Sequence, residues 1–214
     1  MHHRTKTILP LLAATALLAL AASGASARSF SFSEKNFELI WNPALTSKTQ
    51  LTFGDNSGSI VIECNVTLLG RYSVNTVAKR TEVNQGTINH GETEGCRNGT
   101  LTIRTETMPW NLRYRSFTGT LPAITTITTG MIGATFRVRE RNGATCISQT
   151  TTAEPGVGII EERLTNLETI RADETRTIRL GGEFLCNFAT PGHFAGRGLI
   201  RNLPRTANIT ITLI

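Results

Sequence analysis

Arg137, Arg139 and Arg141 fall at alternate positions, and so do Arg113 and Arg115. In an extended strand alternate side chains share a face, so each set presents its guanidinium groups together. A guanidinium is planar, permanently charged and able to grip phosphate or carboxylate through two parallel hydrogen bonds. If the two strands are neighbours, the five arginines form one patch. Such a patch suits an anionic surface polymer or glycan, for example a teichoic acid or an acidic polysaccharide. The plainer expectation is a solvated face neutralised by glutamates on adjacent strands, such as Glu106 and Glu82.

Other chemistry-bearing residues do not assemble into a catalytic pattern. Gly54-Asp55-Asn56-Ser57-Gly58 superficially matches the nucleophile loop of chymotrypsin-like proteases, but an inserted Asn breaks the register. Ser57 also precedes both His90 and His193, whereas that family runs His, Asp, Ser. The order Ser57, Asp173, His193 suits an α/β-hydrolase, which needs a Gly-x-Ser-x-Gly elbow that the chain lacks. The segment is therefore read as a hairpin turn. His90 lies near Glu92 and Glu94, thinkable as a weak cation site, but no His-x-x-x-His pair or close cysteine pair accompanies it. Glutamates are numerous, yet nothing in their spacing selects a facing pair for glycoside hydrolysis, and Glu161-Glu162 point to opposite faces on a strand. Trp110 and Tyr114 alternate with arginines and are read as core, as is Trp41, the better candidate of the three for an exposed platform. No catalytic residue, metal ligand or cofactor is assigned.

The chain opens with Arg4 and Lys6, an apolar run over residues 8–22, and Ala25-Ser26-Ala27. That order is a secretory leader cut after Ala27. The run of about 15 residues is shorter than the ~20 that a membrane-spanning helix needs. The mature protein is then residues 28–214, read as one all-β domain that is secreted, monomeric and without a membrane anchor. Removing Arg4 and Lys6 lowers the formal net charge from +6 to +4, a mild excess that does not demand a nucleic-acid partner. Cys64, Cys96, Cys146 and Cys186 all lie in the mature part. An even count in an exported chain reads as two disulfides. Cys64–Cys96 and Cys146–Cys186 are chosen because both loops are local and neither crosses the other.

The elements that carry these residues read as strands. Threonine is unusually abundant, and Thr, Val and Ile fit a pleated surface better than a helix. Ile60, Ile62, Cys64, Val66 and Leu68 alternate with polar residues; so do Leu101 with Ile103, Trp110 with Leu112 and Tyr114, Ala134 with Phe136 and Val138, and Ile209 with Ile211 and Leu213. Repeated period two with one polar face predicts antiparallel strands over a shared core. Turns are predicted at residues 54–58, 97–99, 141–143 and 181–182. Residues 159–172 carry both helical spacing and an edge-strand pattern, and strand is preferred. The fold class expected is an antiparallel β-sandwich, with a β-barrel as the alternative.

Cys64-Asn65-Val66-Thr67-Leu68, Met108-Pro109-Trp110-Asn111-Leu112-Arg113-Tyr114, Ser116-Phe117-Thr118-Gly119-Thr120-Leu121-Pro122, Phe184-Leu185-Cys186 and the terminal Ile-Thr-Ile-Thr-Leu-Ile resemble the landmarks of a group of small secreted actinobacterial β-rich proteins with two cysteine pairs. The resemblance covers most of the mature chain. It implies export, two disulfides and a β fold, and it transfers no functional residue. The functional expectation is a non-catalytic binding or structural module at or beyond the cell surface. The alternative is a secreted hydrolase built on carboxylates, which would require a deep polar cleft.

Overall fold

A computed structural model describes residues 29–46, 49–55, 61–73, 76–78, 84–120, 123–141, 143–150, 159–163, 170–182, 192–203, 205–206, 209 and 211–213. The expected leader, Ser57, Glu82 and Cys186 lie outside the described residues.

The fold is antiparallel and all-β. Its strands are β1 (Ser29–Phe32), β2 (Asn36–Trp41), β3 (Leu51–Asp55), β4 (Val61–Tyr72), β5 (Thr76–Ala78), β6 (Asn84–Arg97), β7 (Gly99–Ile103), β8 (Trp110–Thr120), β9 (Ala123–Ile132), β10 (Thr135–Glu140), β11 (Thr145–Gln149), β12 (Ile159–Arg163), β13 (Ile170–Gly182), β14 (Gly192–Asn202) and β15 (Ile211–Leu213). One helical turn, Pro43–Thr46, follows β2, and a 3-10 turn, Thr105–Thr107, precedes β8. Asn42 starts the helical turn by accepting the Ala44 N–H on its side-chain oxygen at 3.0 Å.

Hydrogen-bonded neighbours run β4–β6–β8–β9–β12–β13–β14. β2 and β3 lie end to end between β14 and β4, each paired with both. The far end of β13 carries a second series, β11–β10–β7. β1 joins β15 and β5 in a separate three-stranded sheet.

The alternation seen in the sequence sets the core. Ile62, Cys64, Val66 and Leu68 of β4 are buried while the residues between them are partly exposed. Trp110, Leu112 and Tyr114 of β8 and Phe136 and Val138 of β10 are buried in the same way. Phe136 sits at the centre of an aromatic cluster, 5.0 Å from Phe53, 5.3 Å from Trp110 and 5.9 Å from Phe194 between ring centroids. Such offset and edge-on contacts add to the area that the rings bury. β3, β8, β10 and β14 therefore share one interior. Trp41 belongs to it as well, at 1% exposure, so it offers no aromatic platform.

Two turn and strand expectations need correction. Gly181 and Gly182 form no turn; they continue β13, opposite Ile147 and Cys146 of β11. The ladder slips register between Ile147 and Ser148, and glycine in a strand accommodates such a bulge. Residues 159–163 are a strand, as expected, but an interior one: β12 pairs with β9 on one side and β13 on the other.

Candidate anion-binding face

The β7–β10–β11 face begins with its hairpins. Arg97, Asn98 and Gly99 connect β6 to β7, with Asn98 at φ 62°, a left-handed conformation that Asn tolerates better than most residues. Arg141 and Gly143 lie in the turn from β10 to β11, with Gly143 at φ 93°. The Glu140 N–H donates to the Ala144 carbonyl at 2.8 Å, and the Gly143 N–H donates back to the Glu140 carbonyl at 3.0 Å. Both turns fall where the sequence places them.

Cross-strand register then sets the rows of the outer face. Arg139 stands opposite Thr100 on β7, and Arg137 opposite Thr102. On the other side Arg137 faces Ile147 and Arg139 faces Thr145. Phe136 and Val138 point into the core, so Arg137 and Arg139 point out, and both are exposed. At one end of the face Arg97, Arg139 and Arg141 line an open hollow of about 690 Å³, together with Asn98, Thr100 and Glu140. Arg97 makes one long contact, 3.9 Å, with Glu63. Among the described residues no carboxylate is paired with Arg139 or Arg141. At the other end Arg104, Glu106, Arg137, Thr102 and Ile147 line a smaller hollow of about 400 Å³. Glu106 accepts a hydrogen bond from Arg104. A backbone hydrogen bond, and then Arg104, hold the Glu106 carboxyl below its ordinary pKa.

The hollow is pinned from beneath. Cys96 lines it, and Cys96 is bonded to Cys64 near the start of β4 at 2.05 Å. This is the first disulfide expected. Cys146 is also disulfide-bonded, and no described cysteine is free. The expected pairing of Cys146 with Cys186 falls on a residue outside those described.

Arg113 and Arg115 do not join this face. Their strand, β8, pairs with β6 and β9, not with β10. β8 and β10 meet through their apolar sides, at Trp110 and Phe136, so their arginines point away from one another. The single five-arginine patch does not form. Arg115 instead lies over Gly130 of β9, where a Cβ would come 2.6 Å from its Nε, and its Nε and Nη2 are buried. The neutralising role expected of Glu106 is directed to Arg104, which alternates with Leu101 and Ile103 but was not among the five arginines expected to form the patch. Arg97 was missed too. Its signal was its place in the Arg97-Asn98-Gly99 turn, and that of Arg104 was its position just past β7, two residues after the outward-facing Thr102.

The other candidates stay dispersed. The His90 ring nitrogen Nε2 lies 3.0 Å from Glu92 Oε1, both side chains being largely exposed. Glu94 instead accepts a hydrogen bond from the Asn42 side chain at 3.1 Å. Among the described residues no group of three His, Cys, Asp or Glu side chains is arranged to hold a metal ion. Register puts Asp173 opposite Ala195 and His193 opposite Gly54. No described helix is long and apolar enough to cross a membrane. Comparison with protein-family models, curated proteins and solved structures finds no match for the chain.

Proposed function

We propose that this chain is an exported, non-catalytic β module that binds an anionic polymer on its β7–β10 face. The observation that carries this reading is the convergence of Arg97, Arg139 and Arg141 on one open hollow. The backbone beneath them is held by the β4–β6 and β7–β10 ladders and by the Cys64–Cys96 bond, so little backbone ordering accompanies binding. Exposed guanidinium contacts are individually weak, so retention depends on several acting together. A carboxylate-based hydrolase is supported less well. It needs two facing carboxylates, whereas the larger hollow holds only Glu140 and the smaller only Glu106. The disulfide and the leader pattern support export, because such bonds persist mainly in oxidising compartments.

The test takes protein from culture medium. N-terminal sequencing is expected to begin at Arg28, and the material is expected to bind an anionic column at low salt. Joint replacement of Arg97, Arg139 and Arg141 by Gln is expected to abolish retention while leaving the melting temperature nearly unchanged. Retention of the triple variant at the wild-type level would refute the site, and an intact leader embedded in membrane would refute export.

A further inference from the structure

We infer that the ligand is a linear phosphodiester chain without bases, laid along β10 from the larger hollow to Arg104. This rests on the anion-binding reading above and specifies its ligand. Arg139 and Arg137 are two residues apart on β10, which places their attachment points about 7 Å from each other along the strand, and Arg141 follows in the turn. Arg97 flanks the start of this row, and Arg104 lies at its end, where its N–H donates to the Thr135 carbonyl at 3.0 Å. The strand part of the track, from Arg139 to the row of Thr135, is therefore about 13 Å long.

A phosphodiester polymer joined through three-carbon units has six backbone bonds from one phosphorus to the next. By the reach of an extended chain of single bonds that repeat is also about 7 Å. One phosphate can then meet each of the Arg139 and Arg137 rows without bending polymer or sheet. Guanidinium binds the paired non-bridging oxygens of a phosphate in its two-pronged geometry. The accessible groups beside the arginines are Thr100, Thr102 and Ile147, which supply small polar and aliphatic contacts. Bases would need aromatic platforms, and Trp41, Trp110, Tyr72 and Tyr114 are all buried. The polymer recognised is thus a sugar- or polyol-phosphate backbone.

Glu106 gives the track a defined end. It occupies Arg104 and opposes the approach of a further phosphate. A chain short enough to stay in the larger hollow does not meet Glu106, whereas a chain spanning the track competes with it.

The experiment titrates the full mature protein with fluorescent abasic deoxyribose-phosphate chains of increasing length, at low salt. Single-stranded DNA and oligogalacturonate of matched charge serve as comparators. Affinity is expected to rise with length until the track is filled, by about two- to fivefold for each added arginine contact. Arg104→Gln should remove the last increment only. Glu106→Gln should tighten long chains about two- to fivefold and leave the shortest unchanged. DNA should bind no more tightly than the abasic chain. If DNA is favoured tenfold or more, the site reads bases and the inference fails. If oligogalacturonate binds as well as phosphodiester, charge spacing is not read; the inference fails while anion binding stands. If no probe binds at low salt, both fall.

Discussion

Gly99 stands so close to the backbone of Arg139 that a Cβ at residue 99 would lie 2.3 Å from the Arg139 carbonyl oxygen. It would also lie 2.7 Å from Ile62 Cδ1. A side-chain methyl can yield, but the carbonyl belongs to the β7–β10 ladder and moves only if the strands part. Gly99→Ala is expected to cost about 1–3 kcal/mol, in the range of core overpacking. It should also weaken anion retention, because it displaces Arg97 from Arg139. Urea unfolding and column retention measured on one preparation check both. Unchanged unfolding would show that β7 can shift freely, which the ladder geometry denies.

The Cys64–Cys96 bond closes a loop with a sequence separation of 32 residues. Restricting the unfolded chain over such a loop is worth roughly 3–4 kcal/mol. The double variant Cys64→Ala, Cys96→Ala should therefore unfold at lower urea by a corresponding amount. A midpoint identical to wild type would mean that the ladders alone hold Arg97 in place.

Glu38 is fully buried on β2, and Arg205 reaches its carboxylate with two hydrogen bonds, Nε to Oε2 at 2.6 Å and Nη2 to Oε1 at 2.5 Å. Removing the guanidinium strands a buried carboxylate, so Arg205→Ala should destabilise by about 1–3 kcal/mol. The Glu38→Gln, Arg205→Ala double variant should lose less than the sum of the singles. Hydrogen bonding to Glu38 raises the Arg205 pKa, so its contribution is complete at neutral pH and is lost only in strong alkali. Additive single and double effects would show that the pair is not coupled.

Burial raises the Tyr114 phenol above its ordinary pKa of 10. The neutral ring is favoured in the folded state. That stability is full below pH 10 and declines as pH rises through the elevated value. Phenolate absorbance of wild type against Tyr114→Phe isolates this step. A Tyr114 titration at or below 10 in folded protein would contradict its burial.

Strand positions were legible because one face of each strand is apolar. Ile62, Cys64, Val66 and Leu68 are buried as their alternation requires. The Cys64–Cys96 bond followed from local loop closure. Strand neighbours were not legible, since period two says which face a residue takes and nothing about which strand lies beside it. That is why Arg113 and Arg115 were grouped with Arg137, Arg139 and Arg141. Arg97 and Arg104 reach the same face from β7 and its turn only after the ladder to β10 is set. The burial of Glu38 depends on Arg205, more than 160 residues later in the chain. No local pattern announces such a pair.

The most direct test of the anion-binding account is the salt dependence of binding to a phosphodiester chain short enough to stay in the larger hollow. Screening acts over about 8 Å at ~0.15 M salt, so contacts at an exposed hollow must weaken steeply as salt rises. If Arg97, Arg139 and Arg141 each neutralise one phosphate, log K against log salt should fall with a slope of about −2. The Arg97→Gln, Arg139→Gln, Arg141→Gln variant should show a slope near zero at unchanged melting temperature. A wild-type slope near zero, or a triple variant that keeps the wild-type slope, would place any binding elsewhere on the molecule and contradict the account.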